Sequence, residues 1–343
     1  MPRDVTPKVR GITPRWALPA DDYVTSLAWS PGGDVLVVGD ASGALRAVEG
    51  ARGTVRWKVD AHAGGVLCAE VSSQGMLATA GQDGRATLRG LATGRELAVL
   101  PSGGGAWVEH LAWRPDGAML ATAAGRSVRF WSAIGEPRVE TPAQASTVAG
   151  LAWRRDGGEL ASICYGGVHF WVPDDASCAR VFAWKGSLIS VAWSPDAKVI
   201  ACGSQDNSVH FWRLATGNDS EMSGYPSKPR ALSWDAKSSL LATSGGEEVC
   251  VWDFAGKGPE GSRPRLLKGH GATVQELAFS PRRGVLASAA EDGGLLLWEP
   301  RSSAAPSLAA MLDRPASVLA WHPTEHRLAV ACADGAVALF SLS

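Results

Sequence analysis

Gly269–Trp298 reads GHGATVQELAFSPRRGVLASAAEDGGLLLW, and it contains three short apolar runs with no helical period. The runs are Val274–Phe279, Val285–Ala290 and Leu295–Trp298. Ser280-Pro281-Arg282-Arg283-Gly284 separates the first two, and Pro suits the second position of a type I turn. Glu291-Asp292-Gly293-Gly294 separates the second two, and Asp-Gly marks a hairpin. The runs are nearly continuous rather than alternating, which predicts strands covered on both faces. Three strands cannot cover their own two faces, so neighbours of the same kind must.

The rest of the chain supplies them. The end of the first run recurs as SLAWSP at Trp29, CAEVSS at Val71, HLAWRP at Trp113 and GLAWRR at Trp153. It returns as SVAWSP at Trp193, ALSWDA at Trp234, ELAFSP at Phe279 and VLAWHP at Trp321. The intervals lie between 40 and 45 residues, the period of a four-stranded propeller blade. From about Arg15 to Ser343 the chain resembles the WD40-repeat β-propeller family. The expectation is an all-β, single eight-bladed propeller over residues 15–343, its copies starting near 23, 64, 107, 147, 187, 228, 273 and 316. Residues 1–14 read as an N-terminal tail. The last copy stops after three strands, so the piece near 15–20 is expected to supply its outer strand and close the ring.

Composition bounds the function. A net charge of −1 with 20% charged residues gives no footprint for nucleic acid or an anionic membrane. No secretory h-region opens the chain and no apolar run reaches membrane-spanning length, so a cytoplasmic protein is expected. The six cysteines form no CxxC pair and the seven histidines no zinc-ligand spacing, so neither metal nor cofactor is expected. The Gly103–Gly105 loop lacks the helix start and Lys-Ser/Thr of a phosphate loop and reads as a flexible connection.

The resemblance implies a structural tetrad of His, Ser or Thr, Asp and Trp within a blade. It carries over in full only to His270, Ser288, Asp292 and Trp298. Copy two keeps His62, Thr79 and Asp83 with Arg89 in the Trp place. Copies three, four and six lose one hairpin residue and the acid. His270, Ser288 and Asp292 have the residue types of a hydrolase triad, but triads are defined by geometry and a buried structural chain is the expected role.

Eleven of the 15 tryptophans sit at repeat positions and read as core. Trp16 and Trp57 fall on outer strands. Trp107 and Trp184 flank connections that the family places on its top face, where an exposed aromatic would anchor a partner. Gln82, Gln205 and Glu291 precede the tetrad acid and point to the same rim. Arg126 and Glu247 occupy comparable hairpin tips. Together with Trp107 these five residues form the candidate partner-binding set. The expected function is a non-catalytic protein-interaction scaffold, monomeric on its own, whose partners are unidentified proteins. The alternative is an enzyme or a small-ligand or metal-binding propeller that uses the central channel.

Overall fold

A computed structural model describes residues 10–256 and 258–342. Residues 1–9 of the tail lie outside the described residues. The opening stretch folds as three strands, Val274–Phe279, Leu286–Ala290 and Gly294–Trp298, joined by Leu308–Met311 on the outside. The middle two are buried along their whole length, because sheets on both sides cover them. Gly293 (φ 81°) makes the hairpin possible, since a Cβ there would sit 2.7 Å from the Leu312 carbonyl oxygen. First strands of successive copies lie side by side around the centre, and outer strands form the rim. The core is therefore distributed between neighbouring sheets. Val24, Leu36 and Val48 of copy one, for example, pack on Ala329, Val337 and Leu339 of copy eight.

The strands of the described residues hydrogen-bond into seven sheets, which corrects the expectation of eight blades. Copies four and five share one six-stranded sheet, because Cys178–Trp193 runs unbroken from the outer strand of one to the first strand of the next. Its first half pairs with Leu160–Trp171 and its second half with Val199–Ser204. No proline interrupts its 16 residues, whereas a turn separates these strands elsewhere. Leu160–Trp171 itself doubles back. Trp171 Nε1 lies 2.8 Å from Ser162 Oγ, where nine extended residues would span about 30 Å. Gly166 and Gly167, both at positive φ, absorb the reversal.

The chain ends meet. Pro14–Pro19 pairs antiparallel with Ala336–Ser341, setting Trp16 opposite Leu339. Arg10–Gly11, within the stretch read as tail, adds in parallel to Leu308–Met311 of the neighbouring sheet. An ion cluster centred on the buried Arg46 and Asp40 anchors this strap to copy one. Arg46 lies 3.1 Å from Asp21 and 3.2 Å from Asp40, donates to the Pro19 carbonyl at 2.8 Å, and Lys58 also pairs with Asp21.

Polar ties join the first strands around the ring. The indole N–H of Trp29, Trp153, Trp193, Trp234 and Trp321 each donates to an alanine carbonyl of the preceding copy, at 2.8–3.3 Å. Copies two and seven have Val71 and Phe279 at this position, and Trp113 Nε1 is buried with no partner among the described residues. At those three steps a side chain bonds a backbone N–H of the next copy instead. Ser26 Oγ accepts from Ala69 (2.9 Å), Glu70 from Trp113 (2.9 Å) and Ser233 Oγ from Phe279 (2.8 Å). The tryptophans read only as core therefore also hold the ring shut.

Candidate partner-binding surface

Antiparallel order alternates the turns between two rims. First-to-second and third-to-fourth connections fall on one rim; second-to-third hairpins and the links to the next copy fall on the other. The second rim carries the hydrogen-bonded chains beneath the candidate surface.

In copy seven, Trp298 Nε1 donates to Ser288 Oγ at 2.7 Å, and Ser288 stands 2.6 Å from His270 Nε2. Which way that bond runs depends on the His270 tautomer, because a hydroxyl can accept from both neighbours; the other ring nitrogen is Nδ1. That nitrogen is buried 3.9 Å from Asp292 Oδ1, too far for a hydrogen bond. Asp292 instead accepts the Gly271 and Gly294 N–H groups, both at 2.8 Å. Burial lowers the His270 pKa, so its ring is neutral at pH 7. Ser288 is 0% exposed, and its hydroxyl has no route to a substrate.

Copy two, which departs from the family at Arg89, closes more completely. Arg89 Nε donates to Thr87 Oγ1 (3.0 Å), and Thr87 lies 2.8 Å from Thr79. Thr79 is 2.8 Å from His62 Nε2, and His62 Nδ1 is 3.0 Å from Asp83. One direction of donation from Arg89 to Asp83 satisfies every link. The rest of the Arg89 guanidinium bonds the Gly94 and Ala61 carbonyls and Glu96. Charge placed in a buried site thus finds a full set of acceptors.

The copies without an acid recruit other residues. In copy four, Ser162 donates to Gln144 Oε1 at 3.0 Å and accepts from Trp171. In copy six, Trp252 Nε1 donates to the Tyr225 hydroxyl at 2.8 Å, itself 2.8 Å from Thr243. Burial pushes the Tyr225 phenol up, keeping it protonated. Sequence reading missed Gln144 and Tyr225. The signal is spacing: each lies 18 residues before its hydroxyl, as His270 does before Ser288.

The rim candidates separate into two groups. Glu247 lines a concavity of about 560 Å³ at copy six, with Tyr225, Cys250, Trp252 and Leu266 along its wall. Glu291 lines an adjoining one of about 520 Å³ with Asn207, Lys228 and Arg230. Pro226, Ser227 and Thr273 border both, making one groove across copies five to seven. Gln205 is exposed on the hairpin that carries Asn207. Glu291 accepts from Gln275 Nε2 at 2.7 Å. Across the ring, Trp107 is 51% exposed beside the Gly103–Gly105 loop. Gln82 is half-buried and accepts the Gly65 N–H at 3.0 Å. The Arg126 side chain is exposed, while its carbonyl accepts the Gln144 N–H. Trp184 is no free anchor: its ring lies 3.7 Å from that of His210, tilted by 35°, and its Nε1 is buried.

The first strands carry the titratable groups nearest the axis. Burial raises Glu70 and Glu276 to about 7 and lowers His110. Among the described residues no group of three or more His, Cys, Asp or Glu could hold a metal ion, and no helix is long and apolar enough to cross a membrane.

The profile described as "WD domain, G-beta repeat" matches residues 13–47, 94–132, 176–213 and 261–299. Each match begins at or just before an outer strand and continues into the next copy; three of the four straddle two sheets, and the match at 176–213 lies within the six-stranded one. Probable cytosolic iron-sulfur protein assembly protein 1 of Mycosarcoma maydis is 34% identical over 113 residues, 32% of this chain and 21% of that protein. Anaphase-promoting complex subunit cdc20 of Dictyostelium discoideum is 23% identical over 282 residues, 81% of this chain and 49% of that protein. The chain thus spans half or less of the length of these relatives. Among solved structures, Sqt1 of Saccharomyces cerevisiae has a TM-score of 0.85 at 15% identity, covering 97% of this chain and 99% of that one. Chaetomium thermophilum Sqt1 bound to the N-terminus of the ribosomal protein L10 has a TM-score of 0.82 at 18% identity, covering 94% and 97%. At these identities the likeness is one of fold.

Proposed function

Because the chain belongs to the WD40-repeat β-propeller family, we propose that it is a non-catalytic scaffold that binds proteins on the hairpin rim. The observation that carries this reading is the groove across copies five to seven. Its wall is apolar, from Tyr225, Trp252 and Leu266, and its edge is polar, from Glu247, Glu291 and Lys228. Such a groove takes an extended segment of a partner, with side chains on the wall and polar groups at the edge. Ties at every step of the ring fix the groove before binding, so little ordering opposes association. The Chaetomium thermophilum Sqt1 complex supports the kind of ligand, since there a propeller of this shape holds a protein N-terminus. Trp107, half-exposed on copy three, forms a second contact in this reading. The protein works in the cytoplasm as a monomer until a partner docks.

The test is affinity purification of tagged wild type beside two variants, Trp107→Ala and Glu247→Ala/Glu291→Ala, with circular dichroism as the check on folding. A partner retained by wild type and lost from the groove variant supports the reading. Loss from the Trp107 variant alone moves the surface to copy three. Equal retention by all three refutes the rim as the binding surface.

A further inference from the structure

The opposite rim carries a feature that the scaffold reading does not use. In seven copies the first-strand aromatic pairs with a residue seven positions later, as Trp113 does with Leu120 and Phe279 with Leu286. The intervening turns are therefore equivalent position by position. The third residue after the aromatic is Asp116, Asp156 and Asp196 in copies three to five. Each aspartate caps its turn by accepting a backbone N–H two residues on, at 2.9–3.2 Å. Asp116 and Asp156 also bond the neighbouring Arg114 and Arg154. These turns neutralise their own charge.

Copies one and eight have the neutral Gly32 and Thr324 at this position, whereas copies six and seven place cations there side by side. Lys237 and Arg282 occupy the aspartate position, and Arg283 follows. The aspartate is gone from this position in both turns, although in copy six Asp235, two residues earlier, accepts the Ser239 and Leu240 N–H groups; all three cationic side chains are exposed. None of the three has an ion pair or a side-chain hydrogen bond among the described residues. All three line one concavity of about 210 Å³ with Arg301, where four cations face two carboxylates. Both carboxylates are occupied. Asp235 bonds Arg301 at 2.9 Å and two backbone N–H groups, and Glu299 accepts from Ser302. Arg282 and Arg283 also border a second concavity of about 460 Å³ with His322 and His326. Burial, then the charge of Arg283, lowers the His326 pKa.

The geometry points to this groove as a second docking site, for an acidic extended segment of a partner protein, independent of the hairpin-rim surface. Three unpaired cations in a concave setting match two or three carboxylates at residue spacing along such a segment. Nucleic acid fits less well. It rewards a long basic track, whereas here the cations are few and the whole chain carries −1.

The experiment is fluorescence anisotropy with a labelled deca-glutamate peptide at about 50 mM salt, where screening is weak. Arg282→Asp/Arg283→Gly rebuilds the Pro-Asp-Gly turn of copy three and so keeps a turn the fold already uses. Arg52→Asp/Arg95→Gly makes the same change in net charge at exposed sites in copies one and two. The expected result is saturable binding by wild type and by the remote variant, with the turn variant roughly tenfold weaker. Equal weakening of both variants, or no binding by wild type, overturns the proposal. Duplex DNA bound more tightly than the peptide, and lost in the turn variant, also overturns it in favour of nucleic acid.

Discussion

Glu276→Gln offers a test of how the first strands are built, because its effect has both a size and a sign. Six first strands shift register just before or at the position equivalent to Glu276, including those of Ser26, Cys68, His110 and Ser190. At this position Ser26, Cys68 and Ser190 each donate to a backbone carbonyl of the next copy, whereas Glu276 has no hydrogen-bonding partner among the described residues. Burial raises its pKa from 4.5 to about 7. At 1.36 kcal/mol per unit the displacement is worth about 3 kcal/mol, and the solvent contact left to the half-buried side chain brings it to about 2–3 kcal/mol. The folded-state pKa is raised, so between pH 4.5 and 7 the native state holds more protons than the unfolded one. Stability is highest below that window and falls as pH rises through it. Gln is neutral throughout. The variant should match wild type near pH 4.5 and exceed it by about 2–3 kcal/mol at pH 8, or roughly 3–4 °C in melting temperature for a chain of this size. His62 and His270, both lowered, weaken the fold as pH falls below 6.5. Both proteins share that slope, and it cancels in the difference. Melting curves at pH 5 and pH 8 decide the matter. A gap between the two proteins that stays constant with pH would refute the argument.

Two further predictions concern the frame. Deleting residues 1–20 removes the strand paired with Ala336–Ser341 and takes the Pro19 carbonyl from Arg46. The melting temperature should fall by roughly 10 °C or more; a fall of a degree or two would mean the strap is dispensable. Tyr225→Phe leaves the Trp252 indole and the Thr243 hydroxyl without their shared partner. The expected cost is about 1–3 kcal/mol in urea unfolding, and an unchanged midpoint would show that water replaces the phenol.

Repeat spacing made the strand order and the outer-strand role of the N-terminal piece legible, because each rests on a pattern that survives substitution. The sheet count was not legible. Whether the chain breaks between Trp184 and Leu188 depends on backbone pairing, and no proline or Asp-Gly there announces either outcome. In the hydrogen-bonded chains, His270 and His62 were readable as residue types, but Gln144 and Tyr225 were not. Their role comes from distance to a hydroxyl along the chain. Arg89 was readable only as a departure from the Trp place, and its three-dimensional neighbours such as Thr87 and Glu96 reveal that it completes a network. The rim candidates were chosen by position in a hairpin, which cannot tell which hairpins share a groove. Glu247 and Glu291 adjoin, and Trp107 stands apart.

The ties between first strands bear on how the chain comes apart. In a linear stack of repeats the terminal units touch one neighbour and fray first, so melting proceeds from the ends. Here Trp29 bonds copy eight and Trp321 bonds copy seven, and every copy has two neighbours. No copy can peel away at the cost of a single interface. Losing any one of them breaks two, a penalty that favours unfolding of the whole ring in one step.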